Sequence, residues 1–297
     1  MIGELAALGA ALSWTVSAML YRKALSETKP LSANVVRLTC TAAALLVFLA
    51  VIGKLGVLMS LSANVAVLAG ISGVIGLGVG DTLYMMSLKS IGVARAVPIT
   101  CTYPLFSLVW AARFKGELVT LPVGLGAIAI VLGIWLLSQE NKTNNAGIQK
   151  KDLYRGVAFA LATAIAWSIS ITMINMAVRE TADLDHALAI NAVRITIIAI
   201  VFFASSPLIS KGLGFGKISR KAVVTLLVGG IVALGLGWFF LTYSFIETLE
   251  SRAVPISSTT PLFSTLAGMA LLREKVTARN FLGSVVIVAG IFLIFLV

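Results

Sequence analysis

Charge is what this sequence has least of. Only 12% of its 297 residues are charged, about half of the roughly 25% found in soluble domains. With 59% hydrophobic residues and a mean hydropathy of +1.03, the chain cannot hide its apolar surface in one aqueous core, so lipid is the expected solvent. Acidic residues are scarcer still, 12 against 23 basic ones. The basic residues are scattered between apolar runs and form no basic-aromatic face, so the excess speaks for membrane orientation and not for nucleic acid. There is one histidine, His186, and there are two cysteines. No pair of them has metal-ligand spacing. Cys40 and Cys101 both fall inside apolar runs and read as core thiols. No GxxxxGK[ST] loop occurs, so nothing points to ATP hydrolysis in this chain. No basic stretch precedes the first apolar segment and no small-residue cleavage site follows it, so a transmembrane helix is expected there in preference to a signal peptide.

What is present is apolar length. Ten apolar stretches stand out, at 3–21, 33–52, 64–88, 96–112, 119–137, 156–178, 187–206, 222–246, 253–272 and 277–296. Most match the roughly 20 residues an α-helix needs to cross the hydrocarbon core. Barrel strands would be about half as long and would alternate in polarity. The expectation is an all-α integral membrane protein.

The chain also repeats itself. Residues 95–107 read RAVPITCTYPLFS and residues 252–264 read RAVPISSTTPLFS, identical at ten of thirteen positions with an offset of 157. The same offset joins Asn34 to Asn191, Arg37 to Arg194, Gly80 to Gly237, Glu117 to Glu274 and Gly133 to Gly290, while Trp14 meets Trp167 at an offset of 153. The polar stretch SQENKTNNAGIQKKDLYR separates five apolar runs from five. We therefore expect a first repeat at 1–138, a linker at 139–155 and a second repeat at 156–297. Five is odd, so the second repeat must enter the membrane upside down. The expected fold is ten transmembrane helices arranged as two inverted five-helix repeats around a central cavity.

Several residues could carry function. Asp81 sits deep in an apolar span (VIGLGVGDTLYMMSL) and should face a wet cavity or a cation, because a carboxylate in lipid is costly. Tyr84 lies one turn on and shares its face. At 81 + 157 stands Trp238, so the halves diverge at this point. Arg37 and Arg194 suit either recognition of an anionic cargo or a duplicated scaffold, and duplication favours the scaffold. Pro98 with Pro104, and Pro255 with Pro261, should kink or hinge the fourth and ninth helices, with Thr102 and Thr259 within reach of freed backbone groups. Trp14, Ser17 and Tyr21 share one face of the first helix, and Trp167, Ser170 and Asn175 lie near one another on the sixth. Tyr103, Trp238 and Tyr243 could complete an aromatic wall of the kind that pockets for small organic molecules use. Each aromatic fits packing nearly as well. The glycine runs GVIGLGVGD and GGIVALGLG read as close helix packing.

In their order these motifs resemble the EamA-type members of the drug/metabolite transporter superfamily. The likeness rests on a Trp within helices 1 and 6, an Arg early in helices 2 and 7 (VVRLT, AVRIT) and a glycine-rich helix 3 or 8. A proline-broken helix 4 or 9 (TYPLF, TTPLF) follows, then an acid before helix 5 or 10 (KGELVT, LREKVT). It covers nearly the whole chain. The resemblance implies a cavity lined by helices 1, 3, 4, 6, 8 and 9, and movement of small metabolites, often outward. The expected activity is secondary transport by alternating access in the cell membrane. A membrane enzyme acting on a lipid-linked substrate, or a channel or sensor on the same frame, are the alternatives. Expected partners are a small-molecule substrate, the lipid bilayer, and a coupling proton or exchanged solute, with no cofactor, no metal and no nucleic acid, in a monomer or homodimer. Orientation is contested. Sixteen of the 21 basic residues outside Arg37 and Arg194 fall on the linker side, which places the linker in the cytoplasm; the resemblance implies cytoplasmic termini.

Overall fold

In the computed structural model, which describes residues 2–106, 120–138, 149–181, 183–209, 218–247, 256–257, 259–274 and 276–295, the apolar stretches are helical and no described residue lies in a strand. Six helices are long and apolar enough to cross a membrane. They are α1 (Ile2–Ala24), α2 (Pro30–Val51), α3 (Ala63–Ile91), α6 (Lys150–Arg179), α7 (Leu184–Ile209) and α8, which runs from Arg220–Gly230 through Ile231–Gly237 into Trp238–Glu247. Shorter helices are α4 (Val93–Thr100), α5 (Leu121–Ser138), α9 (Thr260–Leu272) and α10 (Ala278–Phe295). The stretch expected at 96–112 is described only as far as residue 106, and α6 starts at Lys150, inside the stretch expected to be linker.

Local chemistry sets the helix ends. Pro30 occupies the first turn of α2 after an extended Lys29, where its missing donor costs nothing. Ser62 Oγ accepts from Val65 N at 3.2 Å to start α3, and Ser219 Oγ accepts from Ala222 N at 3.1 Å to start α8, each satisfying an orphan amide. Gly92, at φ +79°, divides α3 from α4, a conformation that favours glycine. The start of α4 is capped from far along the chain: Val93 N and Ala94 N each donate to the Glu274 carboxylate at 2.9 Å. Glu274 reaches that position because Arg273 closes α9 in the left-handed region, at φ 52°.

The prolines mark breaks more than bends. Pro98 lies inside α4, which ends at Thr100; Cys101 and Thr102 form a turn, and Pro104 follows it. Pro261 sits in the first turn of α9. Pro255 lies outside the described residues.

Packing crosses between the two halves. Helix α1 packs on α8 and α9, and α6 packs on α3 and α4. Likewise α2 packs on α7 and α8, α7 packs on α3, α4 pairs with α9, and α5 pairs with α10. The α5–α10 seam is glycine-lined: a methyl group added at Gly290 would stand 2.7 Å from Gly126 O, and one at Gly133 would stand 2.8 Å from Gly283 O. Without a water-driven hydrophobic force between helices, such close backbone approach is what holds apolar helices together in lipid.

Candidate functional site

The glycine runs in α3 and α8 are wound more widely than an α-helix, as π-helical segments at Gly73–Gly80 and Ile231–Gly237. Wide turns of this kind are rare and gather at functional sites. Their last glycines open notches for indole rings. A methyl group at Gly80 would stand 2.9 Å from Trp167 Cδ1, and one at Gly237 would stand 2.6 Å from Trp14 Nε1. Each half's first helix thus seats its half-buried tryptophan against the other half's wide turn.

Asp81 follows Gly80 directly and is 4% exposed. Its Oδ1 accepts from Trp167 Nε1 at 2.8 Å, and its Oδ2 accepts from Arg37 Nη2 in a buried ion pair. Arg37 also donates to Asn34 Oδ1 at 2.7 Å and to Tyr21 Oη at 3.3 Å, and its guanidinium lies 5.1 Å from the centre of the Tyr21 ring. Only its Nε lacks a partner among the described residues. Asn34 Nδ2 in turn donates to Leu77 O at 2.8 Å. Cation and carboxylate offset each other where neither could stand alone.

The second half repeats the frame and omits the acid. Asn191 Nδ2 donates to Leu234 O at 2.6 Å, matching the Asn34–Leu77 bond. Arg194 is 2% exposed. Trp238 stands where the carboxylate would be, with its ring centre 4.6 Å from the Arg194 guanidinium. Arg194 Nη2 donates to Ser170 Oγ at 2.8 Å. Its Nε and Nη1, and Asn191 Oδ1, have no hydrogen-bond partner among the described residues.

These groups surround an internal cavity of about 120 Å³. That is somewhat less than the roughly 150 Å³ of an engineered cavity that admits benzene. Of the residues expected at a site, the cavity wall gathers Trp14, Ser17, Arg37, Asp81, Tyr84, Tyr103, Trp167, Arg194 and Trp238. The Tyr84 and Trp167 rings lie 5.2 Å apart. Arg37 and Arg194 bring α2 and α7 into a wall expected from the other helices. Tyr21 and Ser170, expected on the same helix faces as the two tryptophans, also border it, and Thr100, Cys101, Ser257 and Thr260, not expected there, help complete it. The repeat offset could have found two pairs of wall positions: Thr100 matches Ser257, and Tyr103 matches Thr260, both at 157.

Other expected residues lie elsewhere. Thr102 is fully buried and its hydroxyl donates back to Ile99 O at 2.6 Å, while the Thr259 hydroxyl donates to Ile256 O at 2.7 Å. Each helps close the turn beside its proline and is absent from the wall. Tyr243 stacks on Phe239 with centres 6.1 Å apart and is likewise off the wall. Cys101, expected in the core, borders the cavity; both cysteines are free thiols. The Asn175 side chain lies outside the described residues.

With helices and no strand among the described residues, six of the helices long and apolar enough to cross a membrane, the chain is a multi-pass membrane protein. The chain belongs to the EamA-like transporter family, whose model matches residues 1–139 and again 154–296. It is thus a membrane transporter. An uncharacterized transporter of Archaeoglobus fulgidus is 25% identical over 301 residues, spanning 100% of this chain and 99% of that one. The glucose uptake protein GlcU of Staphylococcus xylosus is 28% identical over 220 residues, 72% of this chain and 70% of that protein. A solved crystal structure superposes with a TM-score of 0.63 at 19% identity, covering 98% of this chain and 95% of that one, a likeness of fold.

Proposed function

We propose that this protein is a secondary transporter that moves a small organic metabolite across the cell membrane by alternating access. In this reading ten helices cross the bilayer as two inverted five-helix repeats, 1–138 and 156–297, joined by the linker at 139–155. The two repeats rock about the central cavity. The observation that carries the reading is the cavity wall itself: Trp14 with Trp167, Ser17 with Ser170, Arg37 with Arg194, and Leu77 with Leu234 all border it, each pair drawn from matching positions of the two halves. A site on the repeat interface is what alternating access requires. The exchanged packing of α1 on α8 and of α6 on α3 supports the same motion, since each half grips the other through equivalent surfaces.

The solute is small, with an apolar or aromatic body, as the indole and phenol rings of the wall suggest. An amino acid or an amphipathic drug-like compound has that character. Export is the direction that the family likeness suggests, and a proton or an exchanged solute supplies the drive. A sugar is the second reading, carried by the relative named for glucose uptake.

Purified protein in sealed liposomes tests this. Labelled amino acids, aromatic acids and glucose are offered without ATP, and flux of at least one should saturate. Trp14→Ala combined with Trp167→Ala should abolish it. Flux that survives both substitutions unchanged places the path elsewhere and refutes the proposed site.

A further inference from the structure

The two arginines on the cavity wall have opposite fates. Arg37 has its carboxylate in Asp81, its amide oxygen in Asn34 and its phenol in Tyr21. Arg194, at the matching position, has one serine hydroxyl and the face of an indole. Among the described residues the cavity wall carries three charged side chains, Arg37, Asp81 and Arg194. Asp81 balances one of the two cations, so the wall holds one net positive charge. Guanidinium does not lose its proton in proteins, and a buried charge without a partner is strongly unfavourable. Arg194 borders the cavity, and two of its N–H-bearing nitrogens, Nε and Nη1, are buried with no hydrogen-bond partner among the described residues. The two point to different edges of the guanidinium, so a carboxylate would take one of them alone or together with the second N–H of Nη2, whose first N–H goes to Ser170.

We propose, on the reading that this cavity is the transport site, that Arg194 is the recognition residue for a single anionic group on the solute, a carboxylate before all others. The solute's anion takes the place that Asp81 fills for Arg37. Trp238, standing at the position matching Asp81, leaves that place open and offers its ring to the guanidinium. The substrate class is then an organic monoanion with a small apolar or aromatic body. This narrows the amphipathic class proposed above to its anionic members, since the ammonium of an amino acid would find the carboxylate of the described wall, Asp81, already engaged by Arg37. A neutral sugar would leave the guanidinium uncompensated.

The test uses the full-length protein in detergent, with benzoate as the probe and benzamide, benzylamine and phenylalanine as neutral, cationic and zwitterionic comparisons. Intrinsic tryptophan fluorescence reports binding, since Trp14, Trp167 and Trp238 all border the cavity. Benzoate should bind in preference to all three comparisons. Arg194→Gln should weaken benzoate on the order of thirtyfold or more, as loss of one partner of a buried charge pair does, and should weaken it far more than it weakens benzamide. Trp238→Asp supplies an internal carboxylate, keeps the site charge-balanced and folded, and should abolish benzoate binding. Trp238→Asn, of the same shape and uncharged, should retain part of it. Benzoate binding that survives Arg194→Gln or Trp238→Asp at full strength overturns the proposal, as does a protein that binds no monocarboxylate. If benzamide or glucose binds and depends on Trp167 while benzoate does not bind, the cavity reading stands and the anion assignment falls. If nothing that binds depends on Trp14 or Trp167, both fall.

Discussion

Replacing Asp81 by Asn keeps the shape of the side chain and removes its charge. The amide oxygen can still accept from Trp167 Nε1, so the substitution isolates the ion pair to Arg37. Two magnitudes compete. If the Arg37–Asp81 contact acts as an ordinary polar contact between membrane helices, its loss should cost about 0.6 kcal/mol, and at most about 1.7. If it acts as a buried pair, the orphaned guanidinium should cost about 3–5 kcal/mol. The Arg37 and Asp81 side chains are 2% and 5% exposed, too little for water to screen the orphan, so the second regime applies. At roughly 2–4 °C per kcal/mol for domains of comparable size, Asp81→Asn should lower the unfolding midpoint by about 6–20 °C. Scanning fluorimetry in one fixed detergent measures it. Adding Arg37→Met removes the stranded charge and should restore most of the loss, because an apolar replacement of a buried pair is often neutral. A single-variant shift under about 2 °C, or a double variant less stable than the single, refutes the argument that charge balance holds α2 against α3.

Gly237→Ala should displace the Trp14 indole, whose Nε1 would stand 2.6 Å from the new methyl group; a loss of about 1–3 kcal/mol and a shifted tryptophan emission are expected, against no change for Gly56→Ala, where nothing lies within 4 Å. Glu274→Ala should free the Val93 and Ala94 amides and cost about 1–2 kcal/mol, as lost helix caps do, seen as faster hydrogen exchange at the start of α4; Glu274→Gln keeps one acceptor and should lose less. Outside the apolar spans, Asp183 Oδ1 accepts from His186 N at 2.9 Å, and this bond holds the Asp183 carboxyl below its ordinary value. A lowered folded-state value means that its contribution to stability is present above the unfolded value of about 3.9 and is lost as pH falls through the folded value. Thermal midpoints measured from about pH 5 down to pH 2 should therefore fall less steeply in Asp183→Asn than in the parent protein.

The helical character, the membrane setting and the paired motifs were legible because lipid enforces simple rules: long apolar runs and internally satisfied backbone. The repeat offset of 157 carried further, aligning Asn34 with Asn191 in matching bonds to Leu77 and Leu234. At the arginines duplication favours a scaffold, and Arg37 does tie α2 to α1 and α3; the same offset sets Asp81 against Trp238, so the surroundings of the two arginines differ. Thr102 and Thr259 do reach backbone groups, and for a local reason. A hydroxyl three residues after a carbonyl in a tight turn bonds that carbonyl first, as both do with Ile99 and Ile256. The wide turns left no hydrophobic pattern to read, because glycine-rich runs have few side chains to mark a period. The cap on α4 by Glu274 was beyond sequence reasoning, since the two sites lie 181 residues apart.

The crossed seating of Trp14 at Gly237 and of Trp167 at Gly80 makes neither half self-sufficient. Severed in the stretch between α5 and α6, each fragment would carry an indole with no notch and a notch with no indole. The first fragment would also lack the acid that caps its own α4. Such fragments should be unstable when produced singly and should recover by finding each other in one membrane. A single ancestral unit meeting a second copy of itself would have made these same embraces between separate polypeptides.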